Sequence, residues 1–317
     1  MNTRPIRFGV MADDVGTPDE LIALASWAET SGFSTLLLRD HVIEHTFGHQ
    51  LGPLVAMALV AASTTKLRIG TLAICNDYRP PVQLAKEIAT LDVASGGRVE
   101  LGLGAGFLEP EYHPLGIPFD AAGVRVSRLQ EAVKLLKLLF SGEPVTFHGD
   151  YYNVDDFVSF PMPIQDHGIP ILVAGSGDRM LRLAAREADI VGIQTASSRL
   201  DVPDDPSHRL ADVVQQRIDI VRQAAGERFP QIELNAVVLV EVTDDREAAA
   251  RRIIERRGWS GIETADILAM PTYFIGTLQE IAVQILERRD RYGLSYLVTS
   301  QVQAPLLAPL VSDLTGK

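Results

Sequence analysis

A short apolar run, a turn and an amphipathic helix recur eight times along this chain, and that repeat leaves few folds open. The apolar runs are Ile6–Met11, Thr35–Leu38, Leu67–Ile74, Val99–Leu103, Ile169–Ala174, Ile190–Ile193, Leu234–Val240 and Tyr296–Thr299. Helical stretches lie between them. One opens at Thr17-Pro18-Asp19-Glu20, with Thr17 as N-cap, Pro18 at the first helical position and Glu20 closing a capping box; Gly32 ends it. Others run over Pro53–Ser63, over Val82–Ala94 after Pro80-Pro81, and from about Gly123 to Phe140, where Leu129, Val133, Leu136 and Phe140 form one stripe. A further helix starts at Gly177, helices follow Asp244, and a weak one ends the chain. Strands alternating with helices without a composition break predict one α/β domain over residues 1–317, a (β/α)8 TIM barrel with insertions. A doubly wound nucleotide fold would need G-x-G-x-x-G after the first strand, and Phe8–Gly16 lacks it.

Two stretches break the rhythm. Near 144–168, Val145-Thr146-Phe147 and Tyr151-Tyr152 flank His148-Gly149-Asp150 and predict a small hairpin. Residues 196–231 form the longest and most polar connection, with a loop at Asp201–Pro206 and one helix up to about Ala225. A length of 317 residues fits a barrel of this kind, and 46% hydrophobic residues support a large core. The formal net charge of −12 repels phosphate backbones and anionic lipid, so neither nucleic acid nor a membrane is expected as partner. Cys75 is the single cysteine, the amino terminus lacks the apolar stretch of a signal peptide, and no apolar run approaches the roughly 18 residues of a membrane span. A cytoplasmic chain is expected, acting on a small molecule, as a homodimer.

In a barrel, chemistry belongs where strands end. Thr35-Leu36-Leu37-Leu38 delivers Arg39-Asp40-His41 to that rim. Imidazole exchanges protons near neutral pH, and a neighbouring carboxylate can orient it or bind a cofactor edge. Gly175-Ser176-Gly177 follows the fifth strand and opens a helix; it serves either as a phosphate cradle or as a tight turn that needs glycine. Gly102-Leu103-Gly104-Ala105-Gly106 permits close approach of a flat ring, or marks a barrel corner. His41, His45 and His49 stand four apart with Glu44 among them, but Phe47-Gly48 makes the stretch a loop, and no metal is expected.

Taken in order, these segments resemble the bacterial luciferase-like superfamily, and within it the branch that uses the deazaflavin coenzyme F420. The likeness runs from about Phe8 to Leu310. It rests on Arg39-Asp40-His41, Arg68-Ile69-Gly70-Thr71, Arg79-Pro80-Pro81-Val82-Gln83-Leu84-Ala85-Lys86, Leu91-Asp92-Val93-Ala94-Ser95-Gly96-Gly97-Arg98, the 102–106 glycine run, Val173-Ala174-Gly175-Ser176-Gly177 and Gly276-Thr277-Leu278. The resemblance implies a barrel that transfers a hydride between the deazaflavin and a small ketone, alcohol, enone or imine. His41 is then the acid or base, with Asp40 beside the redox ring as a second catalytic and ring-edge group. Leu72, Ala73 and Ile74 are expected at a bulge with a non-proline cis peptide against the ring. Ala105 and Gly106 would line the cofactor, and Ala174, Gly175, Ser176, Gly177 and Gln194 would complete its site. Arg79 or Arg179 would meet its anionic oligoglutamate tail.

Two positions depart from the sugar-phosphate dehydrogenase branch. Phe107 replaces a glutamate that follows the second site glycine, and His45 stands near the place of a tryptophan. With Phe47, Phe107 and Leu108 at its mouth, beside His45, the substrate pocket is expected to be more apolar. The same barrel loaded with FMN as a monooxygenase served by a separate reductase is the alternative. A flavin- or deazaflavin-binding protein without turnover is a third.

Overall fold

A computed structural model describes residues 4–44, 48–195 and 204–317. Eight parallel strands form its centre: β1 Arg7–Ala12, β2 Thr35–Leu38, β3 Arg68–Thr71, β4 Val99–Gly104, β5 Ile171–Gly175, β6 Ile190–Ile193, β7 Glu233–Val237 and β8 Leu294–Ser300. Each pairs with the next, and β8 returns to β1 through Phe8↔Leu297, so the sheet closes into a barrel. The pairing Ile69↔Val99 joins β3 to β4, and Leu101↔Ile171 joins β4 to β5. Strands covered on both faces need apolar residues at nearly every position, and β2 and β6 are buried throughout.

The core has two layers. Met11, Leu37, Leu172, Ile190, Tyr296 and Val298 fill the barrel. A larger cluster, including Phe8, Leu36, Ile69, Leu101, Val191 and Leu297, seals its outer face against the helices. The helix over Pro18–Thr30 starts with the expected capping box, as does that over Leu278–Tyr292 at Thr277 and Glu280.

The amino-terminal end of the barrel holds a charged plug. Glu100, 2% exposed, accepts from Arg7 Nη1 at 2.6 Å and Arg68 Nε at 2.5 Å. Arg7 also reaches Glu233 and lies 3.5 Å above the Tyr296 ring. Burial pushes the Glu100 carboxyl up, but the two guanidinium groups outweigh it and hold it below the ordinary range.

Three elements differ from sequence expectation. The third strand ends at Thr71, short of the expected Ile74, and pairing resumes at Ile74–Cys75; the Leu72–Ala73 peptide between them is cis, as the resemblance implied. The seventh stops at Val237, and Leu239–Val242 instead pairs in parallel with Tyr273–Gly276, a strand placed where only helices were expected. A four-residue apolar run such as Tyr273-Phe274-Ile275-Gly276 has too few residues for its period to separate strand from helix. This pair carries a second small core of Ala249, Ile253, Trp259, Ile267, Met270 and Tyr273. A four-residue helix over Glu109–Tyr112 follows β4 unannounced. The expected hairpin forms, but its second arm is Asn153–Phe157, with Tyr151 and Tyr152 in the turn.

Candidate active site

The carboxyl ends of β2, β3 and β4 bring one cluster together. Asp40 follows β2 and is buried, its side chain 2% exposed. Arg79 clasps it with two bonds, Nη1 to Oδ2 at 2.5 Å and Nη2 to Oδ1 at 2.9 Å, and the Cys75 N–H donates to Oδ2 at 3.0 Å. A carboxylate offers about four acceptor positions, so one remains. Arg79 thus neutralises Asp40 and anchors the turn after the bulge, with its side chain still partly exposed. Arg179 is exposed, and it donates to the Gly123 carbonyl and the Ser127 hydroxyl at 2.8 and 2.5 Å.

His41 turns toward a group that sequence reasoning missed. Its Nδ1 lies 3.1 and 3.2 Å from the two carboxylate oxygens of Glu111. The Val42 N–H and the Tyr78 hydroxyl each donate to the same carboxylate at 2.8 Å. Burial pushes the Glu111 carboxyl up, yet its bonds from His41, Tyr78 and Val42 prevail and hold it below the ordinary range. Burial and the neighbouring Cys75 push the Tyr78 phenol far up, so it stays a donor. Phe107, partly exposed, packs edge-on against His41 with centroids 5.9 Å apart. The signal in the sequence was Glu109-Pro110-Glu111 just past the glycine run, and only the short helix turns Glu111 inward.

Other expected site residues fall on both sides of expectation. Leu72 and Ala73 are half-buried at the bulge, and Leu72 packs on the barrel-interior cluster with Ala174. Ile74 is fully buried in the core between barrel and helices, within the short strand Ile74–Cys75 paired with β4, so it is not placed to line a ligand. Leu108 is also buried, which leaves Phe107 as the exposed member of the apolar mouth among the described residues. His45 and Phe47 lie outside the described residues. Among those described, no group of three His, Cys, Asp or Glu side chains stands ready for a metal.

The glycines have packing reasons of their own. A Cβ on Gly102 would overlap the Thr71 carbonyl oxygen, so glycine lets β3 and β4 close up below the bulge. Gly106 has φ +76, and a Cβ there would overlap the Tyr112 hydroxyl. That hydroxyl donates to Asp77, which pairs with Arg128. Cys75 lies 3.5 Å from Tyr112, and burial pushes its thiol up to about 11, so it remains protonated. Ala105 and Gly106 sit half-exposed between this network and Phe107.

Further round the rim, Gly175 ends β5, and Ser176 and Gly177 are exposed. Gly177 caps the ten-residue helix Asp178–Glu187 without a side-chain bond, and nothing lies within 4 Å of where its Cβ would be. The first N–H groups of a helix lack intrahelical partners, and an end capped without a side chain suits an anion. Gln194, at the end of β6, donates its N–H to the Gly175 carbonyl at 3.1 Å, which ties the two strand ends together.

The family model described as luciferase-like monooxygenase matches residues 4–295. The chain belongs to that family. Within the luciferase-like proteins it is 33% identical over 267 residues to the F420-dependent glucose-6-phosphate dehydrogenase of Nakamurella multipartita, covering 83% of this chain and 74% of that one. It is 34% identical to the F420-dependent hydroxymycolic acid dehydrogenase of Mycobacterium tuberculosis, over 57% of this chain and 50% of the other. Further relatives of the first description are matched over about half of their own length. The coenzyme F420-dependent tetrahydromethanopterin reductase of Methanopyrus kandleri superposes with a TM-score of 0.73 at 19% identity, over 98% of this chain and 99% of that one; this luciferase-like likeness is one of fold.

Proposed function

We propose that this chain is a coenzyme F420-dependent oxidoreductase that moves a hydride between the deazaflavin and a small ketone, alcohol, enone or imine. The observation that carries the reading is the pairing of His41 with the buried carboxylate of Glu111, beside Asp40, on the rim of a luciferase-like barrel. The 33% identity to an F420-dependent dehydrogenase supports the choice of cofactor.

The rim fits such a group. Asp40 keeps one acceptor position for a ring-edge donor. Leu72, Ala73, Ala105, Gly106 and Ala174 would offer the ring a largely apolar bed, and Gln194 would stand beside it. Gly175, Ser176 and Gly177 would take the phosphate on bare N–H groups. When bound, the deazaflavin supplies the hydride acceptor or donor. The chain's own part is the proton. His41 takes it from a substrate hydroxyl during oxidation, or returns it to the oxygen or nitrogen during reduction. Phe107 restricts water on one side of the imidazole, and an apolar pocket of Phe107 with His45 and Phe47 would face the rest of the substrate. We further propose that residues 1–317 act as one domain, in the cytoplasm, as a homodimer; light scattering of the purified protein decides the last point.

Fluorescence titration with coenzyme F420 and with FMN tests the cofactor, followed by single-turnover hydride transfer. The expected result is tighter binding of the deazaflavin and reduction or oxidation within one turnover. Micromolar binding of FMN with no measurable affinity for the deazaflavin at low salt would move the chain to the monooxygenase reading. Tight deazaflavin binding with no transfer to any carbonyl or alcohol tried would mark a carrier.

A further inference from the structure

Glu111 is unlike every other buried carboxylate around the mouth. Asp40 pairs with Arg79, and Asp77 pairs with Arg128. The half-buried Asp13 pairs with Arg39. Glu111 is 1% exposed and meets no arginine or lysine among the described residues; its ion-pairing partner is His41. A carboxylate shut away from water without a permanent cation is costly unless every oxygen is satisfied. Here three donors do that: Tyr78, Val42 and Nδ1 of His41. Val42 is the residue after His41, so one carboxylate grips both the ring and the main chain next to it.

An ionised carboxylate only accepts hydrogen bonds. Nδ1, facing both its oxygens, must therefore carry the proton, and Nε2 then carries the lone pair. We infer that Glu111 is a positioning residue that locks His41 in the Nδ1–H tautomer and offsets the positive charge the ring gains on taking a proton, with Tyr78 and Val42 holding Glu111 in place. This rests on the reading of His41 as the group that exchanges a proton with substrate. A glutamate kept only to tie the Glu109–Tyr112 turn to the loop after β2 would not need its charge, because glutamine has the same reach.

The test reads the imidazole directly. In protein carrying 15N-labelled histidine, without cofactor and at a pH high enough that raising it further leaves the spectrum unchanged, the nitrogen shifts report which ring nitrogen bears hydrogen. The native chain is expected to show it on Nδ1. In Glu111→Gln the carboxamide oxygen takes the Val42 N–H and its NH2 turns to the ring, so the proton is expected to move to Nε2. Tyr78→Phe leaves the carboxylate and is expected to keep the native tautomer. Hydride transfer in Glu111→Gln should fall on the order of 10²-fold or more, with deazaflavin affinity unchanged. A native ring protonated on Nε2, or a Glu111→Gln ring that keeps the native tautomer, overturns the inference whatever the turnover. Should Glu111→Gln fail to fold, the native spectrum and Tyr78→Phe still decide it. Tautomers as expected, together with full hydride transfer in His41→Ala, would uphold the positioning and reject the proton role of His41.

Discussion

At the scale of single residues, Asp40 and His41 are neighbours with opposite vulnerabilities. His41→Ala removes a group at the rim and is expected to lower the rate of hydride transfer by about 10²–10⁴, with little change in melting temperature. Asp40 is buried under Arg79, so Asp40→Ala strands a guanidinium and the Cys75 N–H. It is expected to destabilise the fold by about 2–4 kcal/mol, at the lower side of a broken buried pair because Arg79 is partly exposed. Denaturant titration beside single-turnover kinetics separates the two effects, and equal stability losses would refute the contrast. Glu111 adds a pH dependence. Its folded-state value lies below the ordinary glutamate value of about 4.3. Its contribution to stability is therefore complete above that pH and is lost as pH falls through the folded-state value. Native protein should lose its stability margin over Glu111→Gln in acid, as read by urea midpoints at pH 7 and pH 3; an unchanged margin would contradict it.

At the scale of elements, the two glycine runs divide by what stands over them. Gly102 faces the backbone oxygen of Thr71, which cannot move without opening the β3–β4 pairing. Gly175 faces the Cγ and Cβ of Met180, which can give only by a change of side-chain rotamer or a small shift of the following helix. Gly102→Ala should thus destabilise the barrel by on the order of 3 kcal/mol, with cofactor affinity lost only through unfolding. Gly175→Val should lower the melting temperature of cofactor-free protein less than Gly102→Ala does, and weaken binding of the deazaflavin at its phosphate. Thermal melts and fluorescence titration of both variants check this, and the reverse ranking would make the 175–177 turn a packing device. The sequence showed both runs, but not which atoms oppose each Cα. Those atoms, Thr71 and Met180, come from a neighbouring strand and the next helix turn.

At the scale of the whole molecule, the two ends of the barrel carry separate tasks. The plug of Arg7, Arg68, Glu100 and Glu233 sits at the end opposite the site. Glu100→Gln leaves two guanidinium groups facing a neutral partner and should cost about 3–5 kcal/mol, while deazaflavin affinity of the folded protein stays unchanged. If residues 1–317 are one cooperative domain, calorimetry of native protein shows a single transition. The small core around Trp259 and Tyr273 would then melt together with the barrel, because Leu239–Val242 runs on directly from β7. A separate low-temperature transition from that core would refute the single unit.

Local order alone determined the barrel. Eight apolar runs between amphipathic helices, the Thr17 capping box and the Asp40-His41 pair at a strand end are all patterns within a few residues, where burial and turn chemistry act directly. Tertiary structure decided what those residues meet. His41 and Glu111 stand 70 positions apart, and Asp40 and Arg79 stand 39 apart. Hydrogen bonds of that span leave no period in the sequence, since any carboxylate at the rim has the same local signature. The fate of Ile74 turned on its place in the short strand Ile74–Cys75, paired with β4 and packed in the core between barrel and helices. The pairing of Leu239–Val242 with Tyr273–Gly276 likewise depended on a partner more than thirty residues away.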